Sequence, residues 1–504
     1  MSKTTYQELW NQSIRVENLS GIASLLDWDQ EIYMPEGGAE YRAEQQKTLA
    51  GIIHEEKTGA AFSTPLSKLI DLKTGKLLTK ALTKKQESAV REWHRDYKIE
   101  TALPKTFVEN FAKLTSEAVT VWRHARINKD FKLFLPYLKK VIEATKQKAE
   151  YLGYENHPYD ALIDLYDPGL TTAQASSIFK PLKKEVASLL KQITKMTEID
   201  DKPIYAPISK DKQLEFSKKL LKKIGYNFKY GRIDLSTHPF SSGNHPTDSR
   251  ITTRLNLCNI FSCLSTVLHE AGHSLYAMGL SKKHYGSPLG QSISMGIHES
   301  QSRLWETRIG LSLPFVRYIL PMLQKDLGCF NDLDPETLYR AINKVEPSFI
   351  RVEADEVTYP LHIILRFELE VALIEGSLDV NELPEAWNQK MKEFFGIIPP
   401  DNAKGVLQDI HWAMGGFGYF PTYSFGNLYA AELFNQLIKE YADWDIQITK
   451  GNFSFIRNFL HANVYQYGRQ YRGPELIKKI TGSEFSSDAY IKYLKEKYSK
   501  IYEI

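Results

Sequence analysis

Most of the chain spaces its apolar residues three and four apart, the pattern of amphipathic helices. Leu66 to Tyr97, Phe131 to Leu152, Leu182 to Lys195, Leu361 to Gly376 and Pro384 to Phe395 are rich in Leu, Lys, Glu and Ala, and each predicts helix. Pro384 suits the first turn of the last segment, where its missing N–H costs nothing. One region departs from the pattern. Tyr226 to Tyr230 alternates, and Ile233, Leu235 and Ile251 to Leu255 lean toward strand. Between them Ser241 to Asp248 is a turn-rich loop. A small hairpin-like sheet is therefore expected there. Punctuation is local (Pro35 to Gly38, Asp167 to Gly169, Pro203 to Pro207, Pro399 to Asp401), with neither a long linker nor a fixed-period repeat. The expectation is a mainly α-helical chain forming one extended unit over residues 1–504.

Composition narrows the partners. The chain is 42% hydrophobic and 25% charged, with a net charge of +3. That balance gives no reason to expect nucleic acid or an anionic membrane as a partner. The most basic stretch, Lys210 to Arg232, carries Lys218, Lys219, Lys222 and Lys223. Leu214, Leu220, Leu221 and Ile224 run through it at roughly helical spacing, so the lysines form the wet face of a helix rather than a binding patch. Three cysteines, Cys258, Cys263 and Cys329, make no disulfide framework and suit a reducing compartment. The N-terminus is polar, and no uncharged apolar run reaches the length of a membrane span. A soluble, cytoplasmic protein is expected.

The chemistry concentrates downstream of the predicted sheet. From Asn259 to Met278, Ile260, Leu264, Val267, Leu268, Ala271, Leu275 and Met278 trace one helical stripe, and His269 and His273 lie at its margin. Residues four apart share a helix face, so the two imidazoles of His269-Glu270-Ala271-Gly272-His273 are able to grip one divalent metal from adjacent turns. Glu270 then stands where a water would be activated, as its general base and later as the acid for the leaving amine. A catalytic zinc needs a third protein ligand. A third histidine six residues on is absent, because Gly279 and Tyr276 occupy the positions that pattern requires. Glu299 and Glu306, on the predicted helix Ile297 to Glu306, remain as candidates. Glu299 is preferred because His298, Ser300 and Gln301 surround it with polarity, whereas Glu306 equally suits an ion pair. Zinc is the expected ion, with cobalt an alternative at a site of this composition.

Several further blocks accompany this motif. They are Leu26-Asp-Trp-Asp-Gln30 with Met34-Pro35, His238-Pro-Phe240, Asp248-Ser-Arg-Ile-Thr252, His298-Glu-Ser-Gln301, Ile350-Arg-Val-Glu-Ala-Asp355 and Gly405-Val-Leu-Gln-Asp-Ile-His-Trp412. In that order they span nearly the whole chain, and the sequence resembles the carboxypeptidase Taq family of metallocarboxypeptidases. The resemblance implies a helical gluzincin-type catalytic domain, with a metal-site core at about 230–430 and N-terminal helices roofing a deep groove. It implies a homodimer that removes C-terminal residues from peptides with broad specificity. Such an enzyme must hold the terminal carboxylate, for which the arginine fork is suited. The family suggests Arg250 and Arg351 for that task, with His238 beside the same carboxylate or the last residue. Neighbouring Glu353 and Asp355 are rival partners for Arg351. His411 and Tyr423 are candidate donors to the transition state. Gly415-Gly-Phe-Gly418 lacks the strand and helix context of a phosphate loop, so nucleotide binding is rejected there.

Two rival functions share these residues. One is a helical oligopeptidase that cuts inside short peptides with the same metal chemistry. The other is a non-catalytic binding protein with a structural metal, toward which Cys258 and Cys263 point only weakly, since neither continues the His269/His273 line.

Overall fold

A computed structural model describes residues 2–504, and helices dominate it. Its sheet has three strands, β1 (Ile233–Leu235), β2 (Ser241–His245) and β3 (Asp248–Thr253), in the order β1-β3-β2. β2 and β3 form an antiparallel hairpin with Ser242 opposite Arg250, while β1 runs parallel to β3 with Ile233 opposite Ile251.

Three local expectations need revision. The segment 241–248, expected as a loop, supplies β2. Its Ser, Gly and Asn residues carry little strand preference, but Ser249 and Ile251 of β3, opposite Gly243 and Ser241, are fully buried and their backbone groups need a partner. Tyr226 to Tyr230, expected to be extended, lies outside the sheet. Its side chain reaches the sheet instead, as the Tyr226 hydroxyl donates to the carbonyl of Ser249 (2.8 Å). Leu66 to Tyr97 is two helices, Ala60–Leu69 and Lys84–Ala102. The Asp71 carboxylate accepts from the Thr74 and Lys73 amides (2.7 and 3.1 Å), and Gly75 takes φ +70°, so a side-chain-stabilised turn overrides the helical periodicity. Elsewhere the periodicity holds. Helices cover Phe131–Leu152, Thr172–Ile193, Tyr359–Glu375 and Leu383–Phe395, the last with Pro384 in its first turn.

The chain divides into two compact units. The first comprises Met1–Thr101, Asp201–Ile342 and Leu433–Ser483. Its centre is the helix Ile260–Gly279, packed against β2, β3, the basic helix Lys210–Ile224 and the helix Met295–Arg303. The last of these continues directly into a π-helix, Leu304–Gly310. The second unit comprises Ala102–Asp200, Asn343–Glu432 and Glu484–Ile504. Its centre is Tyr359–Glu375, buried almost all round and packed against Phe131–Leu152, Pro158–Ile163, Thr172–Ile193 and Leu383–Phe395. Arg366 and Glu370 of that helix are fully buried, so each demands partners. No helix among the described residues is long and apolar enough to cross a membrane.

Candidate metal centre

The helix that carries both histidines starts cleanly. The Asn259 side chain accepts from the Phe261 and Ser262 amides (3.0 and 3.3 Å) and so caps it. Ile260, Leu264, Val267, Leu268, Ala271 and Leu275 bury the stripe, which leaves His269 and His273 part-buried at its edge. Gly272 decides what faces them. A Cβ at this position would sit 2.4 Å from the Gln301 carbonyl oxygen and 2.6 Å from the Ser302 Cα. Only glycine lets the backbones of the two helices approach so closely, and that approach brings Glu299 over the imidazoles.

Glu299 Oε2 lies 3.7 Å from His269 Nε2 and 3.4 Å from His273 Nε2. All three ligand atoms fall within 4.8 Å of one another. Metal–ligand bonds of about 2.0–2.2 Å in a tetrahedron place neighbouring ligand atoms about 3.3–3.6 Å apart, so the two carboxylate–imidazole separations suit a zinc-sized ion. The other ring nitrogens are already committed. His269 Nδ1 faces Glu306 Oε2 at 2.8 Å, and His273 Nδ1 faces the carbonyl oxygen and Nδ1 of His298 at 3.0 and 2.6 Å. With Nδ1 donating, each Nε2 lone pair is left for a metal.

Glu306 therefore sits behind His269, outside the cluster of ligand atoms. It also accepts from Ser265 Oγ (2.7 Å) and Arg303 Nη1 (2.6 Å). The electrostatics follow from this crowding. Burial opposes a charge on Glu306, but Arg303 and His269 outweigh it and hold the carboxyl at about 2. Burial likewise works against the His269 cation, yet Glu299 and Glu306 together lift it to about 9, so a metal at Nε2 would have to displace a proton. His298 is pushed down to about 3 by burial, with His273 adding to the shift, so it stays neutral and accepts from its neighbour. Glu270, 6% exposed on the same helix, is raised by burial, the direction that makes a carboxylate a better proton acceptor.

Of the other candidates in the first unit, Arg250 projects from β3. Its Nε and Nη2 pair with both carboxylate oxygens of Asp248 (2.7 and 2.9 Å), and its guanidinium lies 5.7 Å from the Trp28 ring centre. Its side chain is 23% exposed. His238 is exposed in the loop before β2, where its carbonyl accepts from Ser236 Oγ (2.8 Å).

The second unit gathers Arg351, His411 and Tyr423. The Arg351 guanidinium lies 4.8 Å from the Tyr423 ring centre, and His411 Nε2 is 3.1 Å from the Tyr423 hydroxyl. Burial pushes His411 down to about 4, against the pull of Asp409. Arg351 pairs with neither Glu353 nor Asp355. Its Nε and Nη2 both reach Asp409 Oδ1 (3.0 and 2.8 Å), and Arg366 Nε takes Oδ2 (2.7 Å). The partner lies 58 residues along the chain, so no local spacing signals it. Asp409 and the bracing role of Glu306 are what the sequence leaves unread.

Similarity to known proteins agrees with this chemistry. The model of the carboxypeptidase Taq (M32) metallopeptidase family matches residues 8–498. Thermostable carboxypeptidase 1 of Thermus thermophilus is 38% identical, and the alignment covers 99% of both chains. Carboxypeptidase 1 of Bacillus subtilis is 37% identical, again over 99% of both. The solved structure of an M32 carboxypeptidase from Deinococcus radiodurans superposes with a TM-score of 0.95 at 33% identity, covering 99% of this chain and 100% of that one. For a Pyrococcus furiosus carboxypeptidase the TM-score is 0.94 at 35% identity, with 98% and 99% covered.

Proposed function

Because the chain belongs to the carboxypeptidase Taq family of metallopeptidases, we propose that its metal centre releases amino acids from the C-terminal end of peptides. The observation that carries this reading is the meeting of His269 Nε2, His273 Nε2 and Glu299 Oε2 around one point. Those three residues would hold the ion, which would supply Lewis acidity to the scissile carbonyl and acidify water. Zinc is the ion we propose, because the donors are two imidazoles and one carboxylate, a set common at catalytic zinc.

The remaining steps belong to the protein. Glu270 takes a proton from the attacking water and returns it to the departing amine. Arg250 and Arg351 are the proposed anchors of the substrate's terminal carboxylate, with His238 beside it. Arg250 is the better suited of the two, since its side chain is 23% exposed against 7% for Arg351, whose fork is already closed on Asp409. Tyr423, braced by His411, donates to the oxygen that becomes negative as the peptide carbonyl is attacked. The whole chain is proposed to act as one catalytic domain of a cytoplasmic homodimer with broad specificity for peptides, and without nucleic-acid or membrane partners.

A paired digestion tests the direction of attack. One peptide is supplied with a free C-terminus and again with that end amidated. Stepwise release of single residues from the free form alone is expected. Equal internal cleavage of both forms would instead indicate an oligopeptidase.

A further inference from the structure

Glu370 is fully buried on the central helix of the second unit, far from solvent and with three donors around it. Its Oε1 accepts from Trp412 Nε1 (2.8 Å), and its Oε2 accepts from the Gly418 amide (3.0 Å) and the Tyr159 hydroxyl (2.6 Å). Trp412 directly follows His411, and Gly418 lies two residues before Phe420, which opens the helix bearing Tyr423. One carboxylate thus fastens both ends of the loop that joins His411 to Tyr423.

Backbone bonds from the Met414, Gly415 and Gly416 amides to the carbonyls of Ile410, Trp412 and His411 shape the turns of the loop, and Glu370 ties those turns to the central helix. Gly418 takes φ +88°, and a Cβ there would lie 2.6 Å from the backbone of Leu162, so the turn presses against the helix Pro158–Ile163. Tyr159, on that helix, supplies the third donor. A neutral side chain would satisfy packing in such an apolar place more cheaply than a carboxyl does, and burial pushes Glu370 up to about 7. All three hydrogen-bond donors are neutral, so the group is not retained as half of a direct ion pair. A carboxyl accepts at both oxygens whether ionised or neutral, the neutral form turning its Oε2 proton toward the Tyr159 hydroxyl, whereas an amide accepts at one oxygen alone.

We propose that Glu370 is a positioning residue for peptide hydrolysis, fixing the loop 411–423 so that His411 and Tyr423 meet in working geometry. The inference rests on the donor role proposed above for that pair. Misplacement of a reacting group by about 1 Å is enough to cost ~100-fold in rate. Substrate and metal are held by other residues, so the loss belongs in kcat.

The test uses the zinc-loaded full-length protein and a free-carboxylate peptide. Glu370→Gln puts an NH2 where one accepting oxygen stood, so at least one of the three donors faces a donor. Tyr159→Phe removes a single hydrogen bond and serves as the milder variant should Glu370→Gln fold poorly. Expected are a kcat lowered about 10- to 100-fold for Glu370→Gln and less for Tyr159→Phe, with KM changed by less than about threefold and metal content intact. Faster hydrogen exchange in the peptide spanning 412–419 should accompany this. A Glu370→Gln/Tyr423→Phe double variant should be no slower than Tyr423→Phe alone, because both remove the same contribution. Multiplying losses in the double variant would overturn the inference, since Glu370 would then act elsewhere. A normal kcat in Glu370→Gln beside an impaired Tyr423→Phe would overturn it while leaving the donor role of Tyr423 standing. If Tyr423→Phe and His411→Ala themselves keep wild-type kcat, the reading of the pair falls and takes this inference with it.

Discussion

Glu306 Oε2 lies 2.8 Å from His269 Nδ1, on the opposite side of the imidazole from the nitrogen that faces Glu299. A carboxylate in this position fixes the ring's tautomer and raises the basicity of the other nitrogen. It is itself fixed by Arg303 and Ser265, and it lies on a π-helix, a local widening common where a functional side chain must be re-aimed. Replacing Glu306 by Ala is expected to weaken metal binding about 10- to 100-fold, with activity recovering as metal is added to saturation. Competition with a chelator of known affinity measures this directly. Unchanged affinity would reduce the contact to a structural ion pair.

Glu270 offers the sharpest separation of chemistry from metal binding. It is absent from the cluster of candidate ligand atoms yet lies between two of the proposed ligands in sequence, and burial raises its pKa. Glu270→Gln should therefore lower kcat by about 100- to 10,000-fold and leave the metal stoichiometry at one per chain, read by elemental analysis. Loss of the metal together with activity would move Glu270 into the ligand set.

The parts of this site that are legible in sequence share a cause. His269, Glu270 and His273 are tied by the fixed geometry of one helix, and Glu299 sits on a second helix whose polar run stands out against the apolar chain. Helical periodicity likewise marks Phe131–Leu152 and Tyr359–Glu375. What escapes is set by side chains reaching across the fold. Asp409 closes on Arg351 from another segment, although Asp355 stands much nearer in sequence. The break after Leu69 depends on one aspartate capping a turn, and β2 depends on the needs of its neighbour. Gly272 is readable as a helix-weakening residue, but its reason, contact with Gln301, appears only when the second helix is in place.

The cluster of Arg351, Arg366 and Asp409 predicts a stability defect. The side chains are 7%, 0% and 13% exposed, and one carboxylate serves both guanidinium groups. Asp409→Ala leaves two buried cations facing each other, a loss of about 3–5 kcal/mol by comparison with broken buried pairs. Chemical denaturation should show it as a lowered midpoint. A midpoint within error of wild type would mean that water or a rearranged neighbour replaces the carboxylate.

Arg250 predicts a binding defect of different character. Its side chain is partly open to solvent, and its pairing with Asp248 is local, across two residues of β3. Arg250→Ala should lower kcat/KM for free-carboxylate peptides about 10- to 100-fold, the worth of one charge-assisted contact, while metal content stays constant. The same substitution should make little difference to an amidated peptide, whose cleavage is already poor. A uniform loss on both substrates would assign Arg250 to the fold instead.

The buried carboxyl of Glu370 makes stability depend on pH with a definite sign. Its ordinary value is 4.5, and burial raises it to about 7 in the folded chain. Between those values the folded state holds a proton that the unfolded state has released. The contribution to stability is therefore complete below pH 4.5 and is lost as pH rises through 7, amounting to about 3 kcal/mol over the interval. Glu370→Gln removes this titration while shifting stability by a pH-independent amount, so the comparison isolates one group from all others. Unfolding free energies of wild type and variant, measured from pH 4.5 to above pH 7, should differ by an amount that moves in the variant's favour as pH rises. Parallel curves would show instead that Tyr159, Trp412 and Gly418 keep the carboxylate ionised throughout, because three donors then outweigh the cost of burying the charge.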